Sequence, residues 1–335
     1  MSAPAPSMFS EAAETILKAR GLRLGKTNLD VFADTVLELA KADRNVLAVT
    51  SDSRGSGKLK PFGDALPEQI VEMGIAEQNL VGVAAGLASA GKTVFAVSPA
   101  CFLTARSLEQ IKNDVAYSDN PVALVGISAG VSYGALGSTH HSLHDFAVLR
   151  AINNITVVAP ADNAEAEAAV RLAARQAHPV YLRFGKGKLY DLPGDIADFQ
   201  FGKARVIREG SDLAIFATGE TVIHAWLAAE HLKETAGIES SVISVPTVKP
   251  LDEASVLAKA RECGALVTVE EHMVNGGLGE ACAGVLAQSG ISCRLRIMGI
   301  PDEYTVPGSQ SDIFRHYGLS MEGIAAKARE ILPSM

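Results

Sequence analysis

A glutamate at the start of a small-residue segment is the first candidate for chemistry. Glu77 lies within residues 74–79, and residues 80–88 after it are all Leu, Val, Gly or Ala. This composition predicts a buried helix that another backbone or a flat ring can approach closely. A carboxylate held there with little water can share a proton with a ligand nitrogen. The alternative is that Glu77 only complements the positive end of the helix dipole.

Three histidines within five residues form a second candidate cluster. His140, His141 and His144 precede Asp145 and follow a glycine-rich run over 130–137. Near neutral pH, histidines can act as acids, bases or ligands for hydroxyl groups. His141, His144 and Asp145 also have the spacing of half a divalent metal site, but the other histidines lie in no matching motif, so we predict no metal. For Asp145, a capping network for the following helix is the structural alternative.

Three further segments offer groups that could bind a substrate or a ring. The loop 51–57 around Ser56 has amides and hydroxyls that can hold an anion or a sugar hydroxyl, although a plain surface turn fits equally well. Arg183 and Lys186 close a predicted strand and are candidates for a phosphate, with a solvated pair as the alternative. Phe102 opens a predicted helix and could stack on a planar heterocycle, although a lone aromatic is more often part of a core.

The elements that must position these residues alternate between β-rich runs and amphipathic helices. In the first part of the chain we predict helices over 10–19, 28–41, 103–117 and 163–176, and strands over 46–50, 93–97, 122–128, 155–158 and 180–183. In the second part we predict strands over 213–217, 241–245, 265–269 and 294–297, and helices over 222–234, 254–262, 278–287 and 321–331. This alternation predicts an α/β protein of two domains, each a mostly parallel sheet flanked by helices.

The rhythm also sets the expected domain boundaries. Gly, Pro and Asp interrupt it between the two parts. We predict an N-terminal arm or helix over 1–24, a first domain over 25–190, a linker over 191–205 and a second domain over 206–335. In open α/β sheets, ligands bind outside the carboxyl ends of the strands, where the loops bearing the candidates should meet.

Composition excludes several classes of function. The 335 residues carry a formal charge of −8 without a basic stripe, which argues against nucleic acid as a partner. The four cysteines are far apart and form no CxxC pair, so a zinc knuckle or redox motif is unsupported. No secretory signal is visible, and no apolar run approaches the roughly 18 residues of a membrane helix. We therefore expect a soluble, cytoplasmic protein.

Four segments in this order carry a resemblance to a known family, namely 74–79, 102–104 with 109–110, 138–141 and 270–279. Together they resemble transketolases, and more narrowly the C-terminal subunit of a split transketolase, which comprises the pyrimidine-binding and transketolase C-terminal domains. Deoxyxylulose-phosphate synthase and the beta subunits of 2-oxo acid dehydrogenases are similar in layout. The resemblance covers nearly the whole chain beyond residue 25.

The resemblance implies roles for the candidate residues. In that family, the residue matching Glu77 hydrogen-bonds the aminopyrimidine N1′ of thiamine diphosphate and so favours deprotonation of the cofactor. Phe102 matches an aromatic of the pyrimidine pocket, and His140 matches a histidine that contacts sugar hydroxyls, so Glu77 and His140 are the predicted catalytic residues. Lys186 aligns with a phosphate-binding arginine and Ser56 with a substrate-contacting serine. We also assign His141 to substrate hydroxyls and Arg183 to phosphate.

Departures from the family pattern imply a partner. The motif that binds the diphosphate and Mg²⁺ is absent from the sequence, so an N-terminal transketolase subunit should supply that half in an α2β2 assembly with homodimer contacts. Two family aromatics of the pyrimidine pocket are replaced by Ala105 and Leu108. Leu136 and Ser128 stand where the family has an aspartate and a histidine for substrate. An unusual ketose phosphate therefore fits better, as in the apulose-4-phosphate transketolases.

The resulting hypothesis is a thiamine-diphosphate-dependent subunit that transfers a two-carbon glycolaldehyde unit between sugar phosphates. A deoxyxylulose-phosphate-synthase-like enzyme is the nearest alternative within the enzymes. A non-catalytic regulatory paralogue is the second alternative, motivated by Leu108, Leu136 and Ser128. A metal-dependent hydrolase built on His141, His144 and Asp145 is the third.

Overall fold

The computed structural model describes residues 7–332. Residues 1–6 of the predicted arm and 333–335 of the predicted second domain lie outside the described residues. The strands are β1 (Leu24–Thr27), β2 (Val46–Thr50), β3 (Ile70–Glu72), β4 (Thr93–Pro99), β5 (Val122–Ile127), β6 (Thr156–Val158), β7 (Val180–Arg183), β8 (Lys188–Tyr190), β9 (Arg205–Arg208), β10 (Leu213–Ala217), β11 (Ser240–Ser244), β12 (Thr247–Lys249), β13 (Ala265–Met273) and β14 (Arg294–Ile300).

The helices cover both sheets and join their strands. They are α1 (Glu11–Ala19), α2 (Asn28–Ala42), α3 (Lys60–Ala65), α4 (Glu77–Ser89), α5 (Ala100–Arg106), α6 (Leu108–Gln110), α7 (Asp145–Arg150), α8 (Asn163–Ala173), α9 (Thr221–Ala236), α10 (Glu253–Cys263), α11 (Leu278–Ser289), α12 (Gln310–His316) and α13 (Met321–Ile331). Short 3₁₀ turns cover Pro67–Gln69 and Gly134–Leu136, and a π-helical segment covers Ile111–Tyr117. No helix within residues 7–332 combines the length and apolar character needed to cross a bilayer.

The first sheet has seven strands in the order β12, β6, β7, β5, β4, β2, β3. All neighbouring pairs are parallel except β12 with β6, which is antiparallel. Side chains of α2 and α8 pack on one face, and side chains of α4, α5 and α7 pack on the other. Burial on both faces explains why β2, β5 and β7 are largely apolar in sequence.

The second sheet has five strands in the order β14, β13, β10, β11, β9, with only β9 antiparallel to its neighbour. Side chains of α1, α9 and α13 pack on one face, and side chains of α10 and α11 pack on the other. β1 and β8 form a separate two-stranded antiparallel sheet. Two mostly parallel sheets, each between helices, confirm the predicted fold class. The domain boundaries at 25, 191 and 206 stay predictions.

One local prediction is wrong for a physical reason. The predicted helix over 103–117 is interrupted at Ser107, whose hydroxyl donates to the carbonyl of Leu103 at 2.5 Å. The Thr104 hydroxyl donates to the carbonyl of Ala100 in the same way, at 2.7 Å. Such bonds compete with the backbone for the carbonyls of a helix and bend it. Strand β12, which the sequence analysis does not predict, follows β11 in sequence but completes the first sheet.

Two buried acids from the part of the chain that forms the second sheet, Glu220 and Glu271, contact loops of the first sheet. The Glu271 carboxylate accepts a hydrogen bond from the backbone of Val131 at 3.0 Å and lies against Gly130, where a Cβ would overlap it. Glu220 lies against Gly185 in the same manner. Gln310 Nε2 donates to both carboxylates, at 2.7 and 2.8 Å. Burial and the nearby charge of Glu220 raise the pKa of Glu271 to about 8.

This raised pKa makes stability depend on pH. An unfolded glutamate ionises near pH 4.3, so between that pH and about 8 the folded chain holds a proton that the unfolded chain has lost. Stability from this group therefore falls as pH rises through that window. Glu271→Gln removes the titration, and we expect its stability relative to wild type to rise by roughly 2 kcal/mol between pH 6 and pH 9. Urea unfolding at both pH values measures this, with the exposed Glu68→Gln as control, and an unchanged difference would contradict it.

Candidate active site

Loops at the carboxyl ends of the parallel strands meet at one edge of the first sheet. The hydroxyl of Ser51, after β2, donates to Ser98 of β4 at 2.7 Å, and the hydroxyl of Ser53 donates to the carbonyl of Val97 at 3.0 Å. The loop after β5 returns through an isolated bridge between Gly130 and Ser142. These contacts bring the predicted site segments together where the sheet topology requires.

Glu77 opens α4 and is buried, with 2% of its surface exposed. The preceding residue Ala76 supplies no capping side chain, and Gly74 turns the chain with a φ of +67°. Glu77 Oε2 accepts a hydrogen bond from Arg106 Nη1 at 2.5 Å. A single side-chain cation therefore pairs with this buried acid.

Glu72 organises the loops that lead to Glu77. Its Oε1 accepts from the backbone amides of Asp52 at 2.6 Å and Gly74 at 3.0 Å, and its Oε2 accepts from the Thr50 hydroxyl at 2.7 Å. Burial alone would raise the pKa of Glu72, but these hydrogen bonds hold it below its ordinary value. An ionised Glu72 thus ties the loop after β2 to the turn before α4.

A row of rings and cations runs from Arg106 along this edge. The guanidinium of Arg106 lies over the ring of Phe102, 5.1 Å from its centroid. His140 meets the edges of Phe102 and Tyr133, with centroids 5.4 Å apart in both pairs. Lys186 Nζ lies over Tyr133 at 4.6 Å. This arrangement, called the edge row below, connects an acid to a cationic end through aromatic surface.

The edge row contains four predicted residues and two that sequence reasoning missed. Glu77, Phe102, His140 and Lys186 were predicted, whereas Arg106 and Tyr133 were not. Arg106 follows Phe102 by four residues on one helix, a spacing that places their side chains together and was the available signal. Burial raises the pKa of Tyr133, so its hydroxyl is neutral near pH 7.

His141 does not fit its predicted contact with substrate hydroxyls. It is buried, its Nε2 lies 2.9 Å from the carbonyl of Gly134, and its Nδ1 lies 2.6 Å from the Thr305 hydroxyl. A carbonyl oxygen can only accept, so Nε2 carries the proton and Nδ1 accepts from Thr305. Burial lowers the pKa of His141, in agreement with a neutral ring. Both nitrogens are used in joining this loop to the second half of the chain.

Arg183 does not fit its predicted role of holding a phosphate. Its guanidinium is buried, donates to Asp145 Oδ2 at 2.8 Å and to the carbonyl of Glu271 at 2.7 Å. Tyr181 donates to the same Asp145 oxygen at 2.8 Å. Burial alone would raise the pKa of Asp145, but the Arg183 charge and these hydrogen bonds hold it below its ordinary value. Arg183 is therefore committed to an internal ion pair, and Lys186 is the exposed cation nearby.

The remaining candidates lie near the edge row or apart from it. Ser56 is exposed on its loop, and its hydroxyl donates a hydrogen bond to the carbonyl of Ser53 at 3.2 Å. Leu136 is exposed, and Ser128 is buried with a φ of +54°. His144 Nε2 lies 3.2 Å from the Thr104 hydroxyl. Across residues 7–332, no group of three or more His, Cys, Asp or Glu side chains is arranged to hold a metal ion.

Comparison with known proteins assigns the family. The sequence model described as the transketolase pyrimidine-binding domain matches residues 26–191, and that of the transketolase C-terminal domain matches residues 202–324. The chain is 47% identical to one of the subunits of the apulose-4-phosphate transketolase of Phocaeicola vulgatus over 302 residues, which cover 90% of this chain and 96% of that protein. It is 37% identical to 1-deoxy-D-xylulose-5-phosphate synthase of Heliobacterium modesticaldum, over 91% of this chain but only 47% of that protein.

A solved structure agrees with the sequence comparisons. A split-gene transketolase, described as an inactive beta4 tetramer, superposes with a TM-score of 0.81 at 33% sequence identity. The superposition covers 92% of this chain and 99% of that chain. With both domains matched and a relative covered almost end to end, the chain belongs to the transketolase family of transferases.

Proposed function

We propose that the chain is the C-terminal subunit of a two-subunit, thiamine-diphosphate-dependent transketolase. It transfers a two-carbon glycolaldehyde unit between sugar phosphates when joined to an N-terminal subunit. The observation that carries the proposal is the edge row with Glu77 at its buried end and Lys186 at its exposed end. An acid, an aromatic face, a histidine and a cation are the groups that a planar cofactor and a phosphorylated sugar need.

The residues present fit the pyrimidine half of thiamine diphosphate. Glu77 is a buried carboxylate at the start of a helix of small residues. The same arginine, Arg106, contacts both Glu77 and the half-buried ring of Phe102. When bound, the cofactor supplies a nucleophilic carbon and an electron sink. In this proposal Glu77 holds a proton at the ring nitrogen, and Phe102 gives the ring an apolar surface. Ala105 and Leu108 provide a smaller surface than aromatic side chains would.

A partner subunit completes the proposed enzyme. The chain lacks a segment resembling the family's diphosphate and Mg²⁺ motif, so we assign those groups to an N-terminal subunit in an α2β2 assembly with contacts between two copies of this chain. The similarity to a protein whose name makes it one subunit of a transketolase, and to a split-gene transketolase whose beta4 tetramer is inactive, supports this division. A cytoplasmic location belongs to the same proposal.

The proposed substrate is apulose 4-phosphate or another unusual ketose phosphate. The name of the Phocaeicola vulgatus relative supports it, as do Leu136 and Ser128 in place of polar family residues. His140 binds sugar hydroxyls from its position between Phe102 and Tyr133. The exposed loop serine Ser56 stays a proposed substrate contact.

The direct test reconstitutes the chain with a matching N-terminal subunit, thiamine diphosphate and Mg²⁺. Ketol transfer from a ketose phosphate to an aldose should appear only with both subunits present. A 1-deoxy-D-xylulose-5-phosphate synthase activity, favoured by the Heliobacterium modesticaldum relative, would instead consume pyruvate and release CO2. A non-catalytic paralogue, favoured by Leu136, would give no cofactor-linked heat in a calorimetric titration of the complex.

Replacing Lys186 tests the phosphate assignment. Lys186→Met should raise KM for a ketose phosphate about 10-fold to 100-fold, because a charged hydrogen bond contributes about 1.5–3 kcal/mol. The kcat should change less, and an unphosphorylated ketose should be affected little. Lys188→Met, two residues along the chain and also exposed, is the matched control. Equal effects on both substrates would contradict the assignment.

A further inference from the structure

Arg106 contacts both side chains that the proposed function assigns to binding of the cofactor ring. Its Nη1 contacts Glu77 Oε2 at 2.5 Å, and its guanidinium carbon lies 5.1 Å from the centroid of the Phe102 ring. One side chain thus covers the acid and the aromatic face at once. A ring that binds between these groups must displace it.

The charges around Glu77 make this contact important. Within residues 7–332, Arg106 supplies the one hydrogen bond that the Glu77 carboxylate accepts, from a side chain or from the backbone. Cys101 is the neighbouring titratable group on the same helix as Arg106, and burial raises the pKa of its thiol to about 12, so it is neutral near pH 7. Glu77 has only 2% of its surface exposed, and a buried carboxylate has a large desolvation cost in its charged form unless a cation lies beside it.

Arg106 itself is free to leave. Its side chain is 46% exposed, and within residues 7–332 its side-chain hydrogen bond is to Glu77 and its cation–π contact is with Phe102. Moving a guanidinium from this position into water removes a partly exposed ion pair, a modest cost for the cation. The carboxylate has no such choice, because helix α4 holds it inside the protein.

We propose that Arg106 is a positioning residue that holds Glu77 ionised in the cofactor-free chain and releases it when the aminopyrimidine ring binds. This inference rests on the proposed function. Arg106 keeps its own proton throughout, because arginine does not lose it near neutral pH. The released carboxylate takes one proton from solvent and shares it with the ring nitrogen. No oxidation or covalent change is involved, so cofactor binding takes up one proton.

The first test uses the isolated chain and needs no cofactor. A double-mutant cycle combines Arg106→Met with Glu77→Gln and measures the unfolding equilibrium constant at pH 8. Arg106→Met should raise that constant about 1000-fold, since it leaves a buried carboxylate without its cation and so favours the neutral form of the acid. Glu77→Gln should reverse most of the change in the double variant. The exposed pair of Arg44 and Glu68, at 3.1 Å with side chains 86% and 82% exposed, is the matched control and should couple about twofold.

The second test measures proton uptake in the reconstituted complex. Calorimetric titration with thiamine diphosphate at pH 6, in two buffers of different ionisation enthalpy, gives the number of protons bound. Wild type should take up about one proton more than Arg106→Met, in which the carboxyl is already neutral, and Arg106→Lys should resemble wild type. The diphosphate's own protonation cancels in this comparison.

The outcomes separate the two proposals. Coupling no larger than the exposed control pair, or equal proton uptake by wild type and Arg106→Met, would overturn the role of Arg106 and leave the proposed function intact. A complex that shows no cofactor-linked heat would overturn the proposed function. The double-mutant cycle then still decides whether Arg106 holds Glu77 ionised.

Discussion

Replacement of Glu77 by glutamine is expected to reduce turnover of the reconstituted enzyme about 1000-fold. Proton transfer by a positioned side chain typically contributes 10²-fold to 10⁴-fold to a rate, and an amide cannot hold or share that proton. Glutamine keeps the size of the side chain, so packing at the start of α4 should be preserved. Steady-state assays with the partner subunit, saturating cofactor and Mg²⁺ measure the effect.

The control for this variant is another glutamate that opens a helix. Glu253 is the first residue of α10 and is exposed, so Glu253→Gln removes a charge from a helix start without touching the edge row. It should leave turnover within about twofold of wild type, since exposed helix-end charges act mainly on stability. If Glu77→Gln were equally active while the assembly stayed intact by sedimentation, Glu77 would have only the dipole role and the catalytic assignment would fail.

Replacement of Asp145 by asparagine is expected to destabilise the chain by about 3–5 kcal/mol. Asp145 and Arg183 are both buried and lie 2.8 Å apart, so the variant removes the nearest counter-ion of a buried guanidinium and leaves only the Glu271 carboxyl, 3.7 Å away. Urea unfolding of the isolated chain at pH 7 measures the loss. The exposed Asp119, paired with His178 at 2.9 Å, gives the control Asp119→Asn, which should cost less than about 1 kcal/mol.

The same variant distinguishes an internal role of Arg183 from a phosphate-binding role. Asp145 lies one residue after His144, so loss of the ion pair should loosen the histidine loop and lower activity with phosphorylated and unphosphorylated sugars alike. A selective rise in KM for phosphorylated sugars, with stability unchanged, would show instead that Arg183 is available to a phosphate. Such a result would restore the original expectation for Arg183.

The positions of most strands and helices were predictable from the sequence, because buried residues recur in short-range patterns along each element. Strands β2, β7 and β10 have the predicted bounds, since a parallel strand covered on both faces is a largely apolar run. Helix α13 also has its predicted bounds, and Thr27 caps α2 by accepting from the amide of Asp30. The edge strands β3, β9 and β12 have only three or four residues each and were not found, whereas the seven-residue edge strand β14 was.

Gathering of the site at one sheet edge was also within reach of the sequence. Parallel strands with helical crossovers place all their carboxyl ends together, so Glu77, Phe102, His140 and Lys186 had to converge once the alternation was read. The family motifs pointed to the same residues. Arg106 was readable from its spacing to Phe102, but nothing local required it to meet Glu77.

The sequence by itself determined the two parallel sheets, the edge at which the site lies and the family, since all three follow from short-range patterns of residue type. Only the tertiary structure decided which polar groups are free to act. Arg183 meets Asp145, 38 residues away, and the carbonyl of Glu271, 88 residues away, while His141 meets Thr305, 164 residues away. The role of a polar side chain depends on the partners that folding brings to it. A buried polar group must form hydrogen bonds or an ion pair with those partners, because leaving it without them costs free energy.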